Sequence, residues 1–201
     1  MSVLTHSCVS RAIRRGAALA CIVLPASAGA ALAACPAPPV STPFAQWGDS
    51  NSYFAVPGGT FEGAQPGWTL SNAALAAGNE PFFVNGPGDN QALTIGGGGS
   101  ATSPYFCVDA TMSSMRLFAD QVATGGDLQI TALVQTPNGV ASFAVGDLTD
   151  DSMPSWAPTQ PITGSSSQLG GSVMVALRFS VPSSAASWTI DDVYVDPYRS
   201  G

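Results

Sequence analysis

Val173, Val175, Leu177, Phe179 and Val181 alternate with Met174, Ala176, Arg178 and Ser180. Apolar residues at every second position mark a β-strand with one face in a core, because successive side chains point to opposite faces. Leu128, Ile130, Ala132 and Val134 repeat the pattern. Shorter runs rich in β-branched and aromatic residues recur at 52–56, 67–71, 81–84, 92–95, 105–108, 115–119, 140–145 and 188–195. The 22 Gly and 16 Pro of the 201 residues punctuate these runs, and no helical period is sustained anywhere. The chain is therefore expected to be an all-β sandwich or barrel, in a single domain.

Local signals refine this expectation. Pro137-Asn138-Gly139 reads as a hairpin turn, with Gly139 free to take a positive φ. Gly96–Ser100 reads as a flexible loop between two strands. The last run breaks alternation, because Ile190 is even-numbered while Val193 and Val195 are odd. An extra residue at Asp191-Asp192, a β-bulge, would restore the register and turn one carboxylate sideways.

Charge and cysteine usage bound the chemistry. Residues 1–33 combine Arg11, Arg14 and Arg15, a short apolar run at 16–24 and the small-residue sequence Ala31-Leu32-Ala33. This is the layout of a secretory signal peptide. The expected organisation is a signal peptide at 1–33, a proline-rich lead-in with the first strand at 34–57, and a β-sandwich at 58–201. Leu32-Ala33-Ala34-Cys35 also fits a lipoprotein box, which would anchor the chain through Cys35. Cleavage after residue 33 instead leaves Cys35 and Cys107 to pair in an oxidising compartment. The chain has no Lys, and its one His, His6, lies in the leader. Beyond the leader, Arg116, Arg178 and Arg199 face all 13 acids, a formal charge of −10. This excludes Ser-His-Asp catalysis, Schiff-base chemistry and His-bound zinc, and it argues against nucleic acid as a partner. No later stretch is apolar enough for a transmembrane segment. The expected location is secreted and extracellular.

Three segments, in order, resemble the jelly-roll carbohydrate-binding modules of xylanases and cellulases, within the galactose-binding-like superfamily. They are Gly58–Trp68 (GGTFEGAQPGW), Trp156 leading to Val173–Phe179, and Ile190-Asp191-Asp192-Val193. The resemblance implies a jelly-roll β-sandwich and a polysaccharide or cell-surface glycan as partner. It also implies a structural calcium held by Glu62 and Asp191, with Asp192 as substitute, carbonyls of Thr60 or Gly58, and a further ligand near Asp89-Asn90. Calcium suits a chain that offers carboxylates and carbonyls but no imidazole. The whole chain is also similar to a group of uncharacterised secreted bacterial proteins that share Trp47-Gly48-Asp49, Gly78-Asn79-Glu80-Pro81-Phe82 and Asp191–Pro197.

Sugar binding requires aromatic faces flanked by polar groups. Trp47, Tyr53, Trp68, Tyr105, Trp156, Trp188 and Tyr194 are the candidate stacking aromatics; of these, Tyr105, Trp156 and Tyr194, with Arg116 and Arg178, form the expected ligand-binding set, while Trp68, Trp156 and Trp188 match positions that pack a sandwich core. Gly48-Asp49-Ser50 resembles the start of a hydrolase motif but lacks a histidine base. Asp150-Asp151 and Asp191-Asp192 are adjacent on the chain, so each pair points to opposite faces and is not by itself a glycosidase pair. The expected function is a non-catalytic carbohydrate-binding module. An extracellular structural or interaction protein without sugar binding is the alternative, and a carboxylate-only glycan hydrolase the next.

Overall fold

The computed structural model describes residues 35–63, 67–109, 111–112, 114–164 and 171–197. The expected signal peptide and its cleavage site, with the competing lipoprotein box up to Ala34, lie outside the described residues. The strands are β1 (Phe54–Ala55), β2 (Thr69–Ala77), β3 (Gln91–Thr102), β4 (Phe106–Val108), β5 (Ser114–Ala123), β6 (Leu128–Thr136), β7 (Gly139–Leu148), β8 (Ala157–Pro158), β9 (Ile162–Thr163), β10 (Val173–Ser180) and β11 (Ser187–Asp196). They pair antiparallel in the order β7-β6-β10-β3-β11-β5-β8; β1 adds to β11, β2 to β3, β4 to β10 and β9 to β5. Among the described residues no helix is long and apolar enough to cross a membrane.

One strand joins the two layers. Leu93–Ile95 of β3 pair with Trp188–Ile190 of β11, whereas Ser100–Thr102 pair with Arg178–Ser180 of β10. Between these stretches lie Gly96–Gly99, expected to be a loop but found inside β3. The glycines serve close approach rather than flexibility. A Cβ on Gly97 would lie 2.5 Å from the Ser184 carbonyl oxygen, and one on Gly99 2.5 Å from that of Asn72. Only residues without side chains let the strand turn this corner.

The core fills the space between the layers. Leu93, Ile95, Leu117, Trp188 and Ile190 meet Leu128, Ile130, Leu177 and Phe179. Val175, Leu177, Phe179 and Val181 are buried while Met174 and Arg178 are exposed, as the alternation requires; Ala176, expected on the outer face, is buried as well. Phe61 and Trp68 pack edge-on with ring centres 5.0 Å apart, and Trp68 stacks on Phe179. The indole N–H groups of Trp68 and Trp188 donate to the Pro57 and Gly126 carbonyls. The β6–β7 hairpin closes at Pro137-Asn138, with Gly139 at φ 119°.

One strand expectation needs adjustment, while the bulge and the disulfide are found as expected. Residues 81–84 are a loop, not a strand. Glu80 offers their N–H groups a carboxylate in place of a neighbouring strand, and Pro81 has no N–H to give a ladder. The bulge is present: Asp191 pairs with Phe118 and Tyr194 with Arg116, one extra residue on β11. It brings Ile190, Val193 and Val195 into one core. Cys35 and Cys107 form a disulfide with Cα atoms 5.5 Å apart, tying the lead-in to β4.

Candidate functional site

Along β5, Met115, Leu117 and Ala119 enter the main core, while Arg116 and Phe118 face the other way. There the lead-in folds back over the sheet. Ser41 and Tyr53 exchange backbone hydrogen bonds of 2.8 Å, and a single 3-10 turn at Ala45–Trp47 ends at Gly48 with φ 81°. Phe44, Tyr53, Phe118 and Tyr194 form a second buried cluster, flanked by Trp47, Val84 and Trp156. This cover explains why β11 is buried on both faces rather than alternating.

Arg116 is fixed within this cluster. Its Nη1 donates to Asp49 Oδ2 at 2.7 Å, its Nε to the Thr159 carbonyl at 2.7 Å, and its guanidinium lies over the Phe44 ring. Asp49 also accepts from the Tyr53 hydroxyl at 2.7 Å and the Asn51 N–H at 3.1 Å. Burial pushes the Asp49 carboxyl up, but these donors outweigh it and hold the group below its ordinary value. Burial and the Asp49 carboxylate push the Tyr53 phenol up to about 12. Beside the pair opens a polar cleft of about 1070 Å3, lined among others by Trp47, Asp49, Asn51, Arg116, Gln160 and Asp196.

A group of acids gathers at the bulge. Asp192 has φ 53°, a left-handed conformation that aims its side chain off the strand's regular alternation. Its Oδ1 accepts from the Asn85 amide, whose own oxygen accepts from the Tyr194 hydroxyl at 2.7 Å. Asp191 Oδ1 accepts the Asp192 N–H at 2.8 Å, and its Oδ2 faces the Glu80 N–H at 3.5 Å. Glu62 Oε1 accepts the Asn90 and Gln91 N–H groups at 2.7 and 2.8 Å. Burial, then the neighbouring Asp192 charge, pushes the Asp191 carboxyl up to about 9. Burial, then Glu80 and Asp89, pushes that of Asp192 up to about 8.

The donor set suits a hard cation. Asp89 Oδ2, Gln91 Oε1 and Asp192 Oδ2 are buried without a hydrogen-bond partner, and Glu62 and Asp89 both act electrostatically on Asp192. All are oxygens of the kind calcium takes. No group of three or more His, Cys, Asp or Glu among the described residues stands arranged to hold a metal as it is. Thr60 lies half-buried in the turn whose Gly59 carbonyl accepts the Val193 N–H. Of the two aspartates at the bulge, Asp192 has the oxygen left over; both oxygens of Asp191 face backbone N–H groups.

The five residues expected to contact sugar are not brought together as one set. Arg116 and Tyr194 are buried beneath the lead-in, and Trp156 packs against the same cluster. Arg178 is exposed on the other layer, where its Nη2 donates to Ser100 Oγ, and Tyr105 is half-buried just before β4. Trp47, one of the candidate stacking aromatics, lines the cleft, whereas Asp49, which lines it too, and Glu80 and Phe82, which lie around Trp47, are not among the expected ligand-binding residues. The shared phrases Trp47-Gly48-Asp49 and Gly78–Phe82 were the signal that pointed to them. Asp150 is a structural acceptor, bound by the Gln121 amide and the Gly125 N–H.

No protein-family model matches the chain, and no curated protein matches its sequence. Its fold has many counterparts among solved structures. It is similar to the Clostridium thermocellum endo-1,4-β-D-xylanase Xyn10B CBM22-1–GH10 modules complexed with xylohexaose, at 15% identity and TM-score 0.50, covering 71% of this chain and 28% of that one. It is also similar to the CBM22-1 xylan-binding domain of Paenibacillus barcinonensis Xyn10C, at 16% identity and TM-score 0.47, covering 70% and 91% of the two chains. A third is TmCBM61 in complex with β-1,4-galactotriose, at 13% identity and TM-score 0.44, covering 70% and 96%. The chain resembles carbohydrate-binding modules in fold: it is an all-β jelly-roll sandwich.

Proposed function

We propose that this chain is a secreted, non-catalytic carbohydrate-binding module whose ligand lies in the cleft beside Arg116. The observation that carries this reading is the cleft itself. It sets one indole, Trp47, among carboxylate, amide and guanidinium groups on a rigid floor, in a volume of about 1070 Å3. Pyranose rings need that combination of an aromatic face with convergent polar groups. The Arg116–Asp49 pair is already satisfied within the protein, so it orients the cleft without first having to break. Asp49 stays ionised because its pKa is lowered, which suits a hydrogen-bond acceptor for sugar hydroxyls and not a general acid. Asp191 and Asp192, the acids with raised pKa, are buried at the bulge and do not line the cleft.

The test is binding of the full chain to arrayed glycans and insoluble polysaccharides. Asn51→Ala and Gln160→Ala, both at exposed positions lining the cleft, should weaken retention without altering the fold. Retention unchanged in both, or none on any polysaccharide, would remove the cleft or the sugar reading respectively. Release of reducing ends would instead favour the hydrolase.

A structural calcium belongs to the same proposal. Glu62, Asp89, Gln91 and Asp192 would hold it, and Thr60 is near enough in sequence to Glu62 to add its carbonyl. When bound, the ion would neutralise the buried acids and tie residues 80–91 to β11.

A further inference from the structure

The loop that replaces the expected strand at 81–84 carries two phenylalanines to the surface: Phe82 is 37% exposed and Phe83 49%. Their exposure is built. Glu80 is fully buried, and its carboxylate accepts the N–H groups of Phe82 and Phe83 on one oxygen and of Val84 on the other. Phe83 has φ 51°, a left-handed conformation unfavourable for a bulky side chain. A bulky side chain held at positive φ opposes stability, and such features persist where the surroundings enforce them, often at binding sites. The loop also stands beside the cleft. The Phe82 ring meets that of Trp47 edge-on at 4.9 Å and leans on Phe118 at 5.8 Å, and Trp47 is itself a wall of the cleft. Polar cleft, indole and Phe82 ring thus adjoin one another, and the more exposed Phe83 follows Phe82 directly in the same loop.

We propose that Phe82 and Phe83 are a stacking platform for a sugar ring, extending the cleft past Trp47 so that the site takes a linear glycan of several units. The proposal rests on the sugar-binding reading and adds the ligand's shape. Polar groups in the cleft meet the hydroxyls of one part of the chain. The aromatic pair meets the apolar C–H face of a ring farther along. Glu80 acts as a positioning residue, holding the loop's backbone while making no contact with ligand.

Affinity electrophoresis of the full chain against soluble xylan, β-1,4-galactan and β-glucan, followed by calorimetry with oligosaccharides of increasing length from the retained polysaccharide, tests this. Wild type should bind longer oligosaccharides more tightly than short ones. Phe83→Ala should weaken the longest roughly three- to tenfold while leaving the shortest unchanged, so that the length dependence is lost. Phe83→Trp should restore it, and Phe143→Ala, an exposed phenylalanine on β7, should change nothing. Unchanged length dependence in Phe83→Ala, with wild type binding, overturns the platform and leaves the cleft reading standing. No binding of wild type to any polysaccharide overturns both. A wild-type dimer in sedimentation that Phe83→Ala dissociates would assign the pair to contact with a second copy and overturn the proposal.

Discussion

The guanidinium carbon of Arg116 lies 4.1 Å from the centre of the Phe44 ring. Arg116 belongs to β5 and Phe44 to the lead-in, so this contact and the neighbouring Asp49 ion pair fasten the lead-in onto the sandwich. Cation–π attraction, a charge-assisted hydrogen bond and burial act on one side chain, in a protein whose described residues hold only one other arginine. Arg116→Ala should therefore destabilise the fold by about 3 kcal/mol, because it leaves Asp49 half-buried without its counter-charge. Asp49→Asn should cost less, and the double variant less than the sum of the two. Denaturant unfolding of the four proteins measures this coupling.

The disulfide spans a sequence separation of 72 residues. Closing such a loop constrains the unfolded chain by on the order of 4 kcal/mol in the chain-entropy account. Cys35→Ser with Cys107→Ser should lower the urea midpoint correspondingly, and a reductant should shift wild type toward the double variant while leaving that variant unchanged.

In a chelator, stability should fall as pH rises from about 4 to about 9. Asp191 and Asp192 start from 3.8 when unfolded; burial and the Asp192 charge raise the first to about 9, and burial with the Glu80 and Asp89 charges raises the second to about 8. Across that window the folded state holds protons that the unfolded state has released, so each step upward in pH favours unfolding. Below about pH 4 this pair contributes its full effect and the dependence vanishes. The thermal midpoint should be lower at pH 8 than at pH 5 by at least about 5 °C. Added calcium should raise the pH 8 midpoint, and Glu62→Gln or Asp192→Asn should abolish that rise. A midpoint indifferent to both chelator and calcium would remove the metal site.

Gly97→Ala should destabilise by at least about 1–3 kcal/mol, since the new methyl would stand 2.5 Å from a backbone oxygen that has no rotamer to change. Gly98→Ala tests conformation alone, because that site has φ 73° and open space around it; its smaller loss should appear in the same unfolding measurement.

Much of the architecture was legible in local pattern. Alternation of period two in β6 and β10 and the break of phase at Ile190–Val193 follow from which side of a strand each residue faces, a property of neighbours in sequence. Two segments depart from their local pattern because similar composition serves opposite ends. Gly96–Gly99 looks flexible but is a crowded corner, and the aromatic run at 81–84 looks like a strand but is held by a buried carboxylate next to it. Neither the Ser184 backbone beside Gly97 nor the burial of Glu80 is a local property.

By itself, then, the sequence determined a sandwich of antiparallel strands, the elements available for disulfide and metal chemistry, and a chain without a single lysine. Only the tertiary structure decided which of its few polar side chains act together. Arg116 and Asp49, 67 residues apart, became one ion pair, and Asn85, 107 residues before Asp192, became its partner. The physical reason is that alternation reports the face of a strand, whereas a site is made by what the rest of the chain lays across that face.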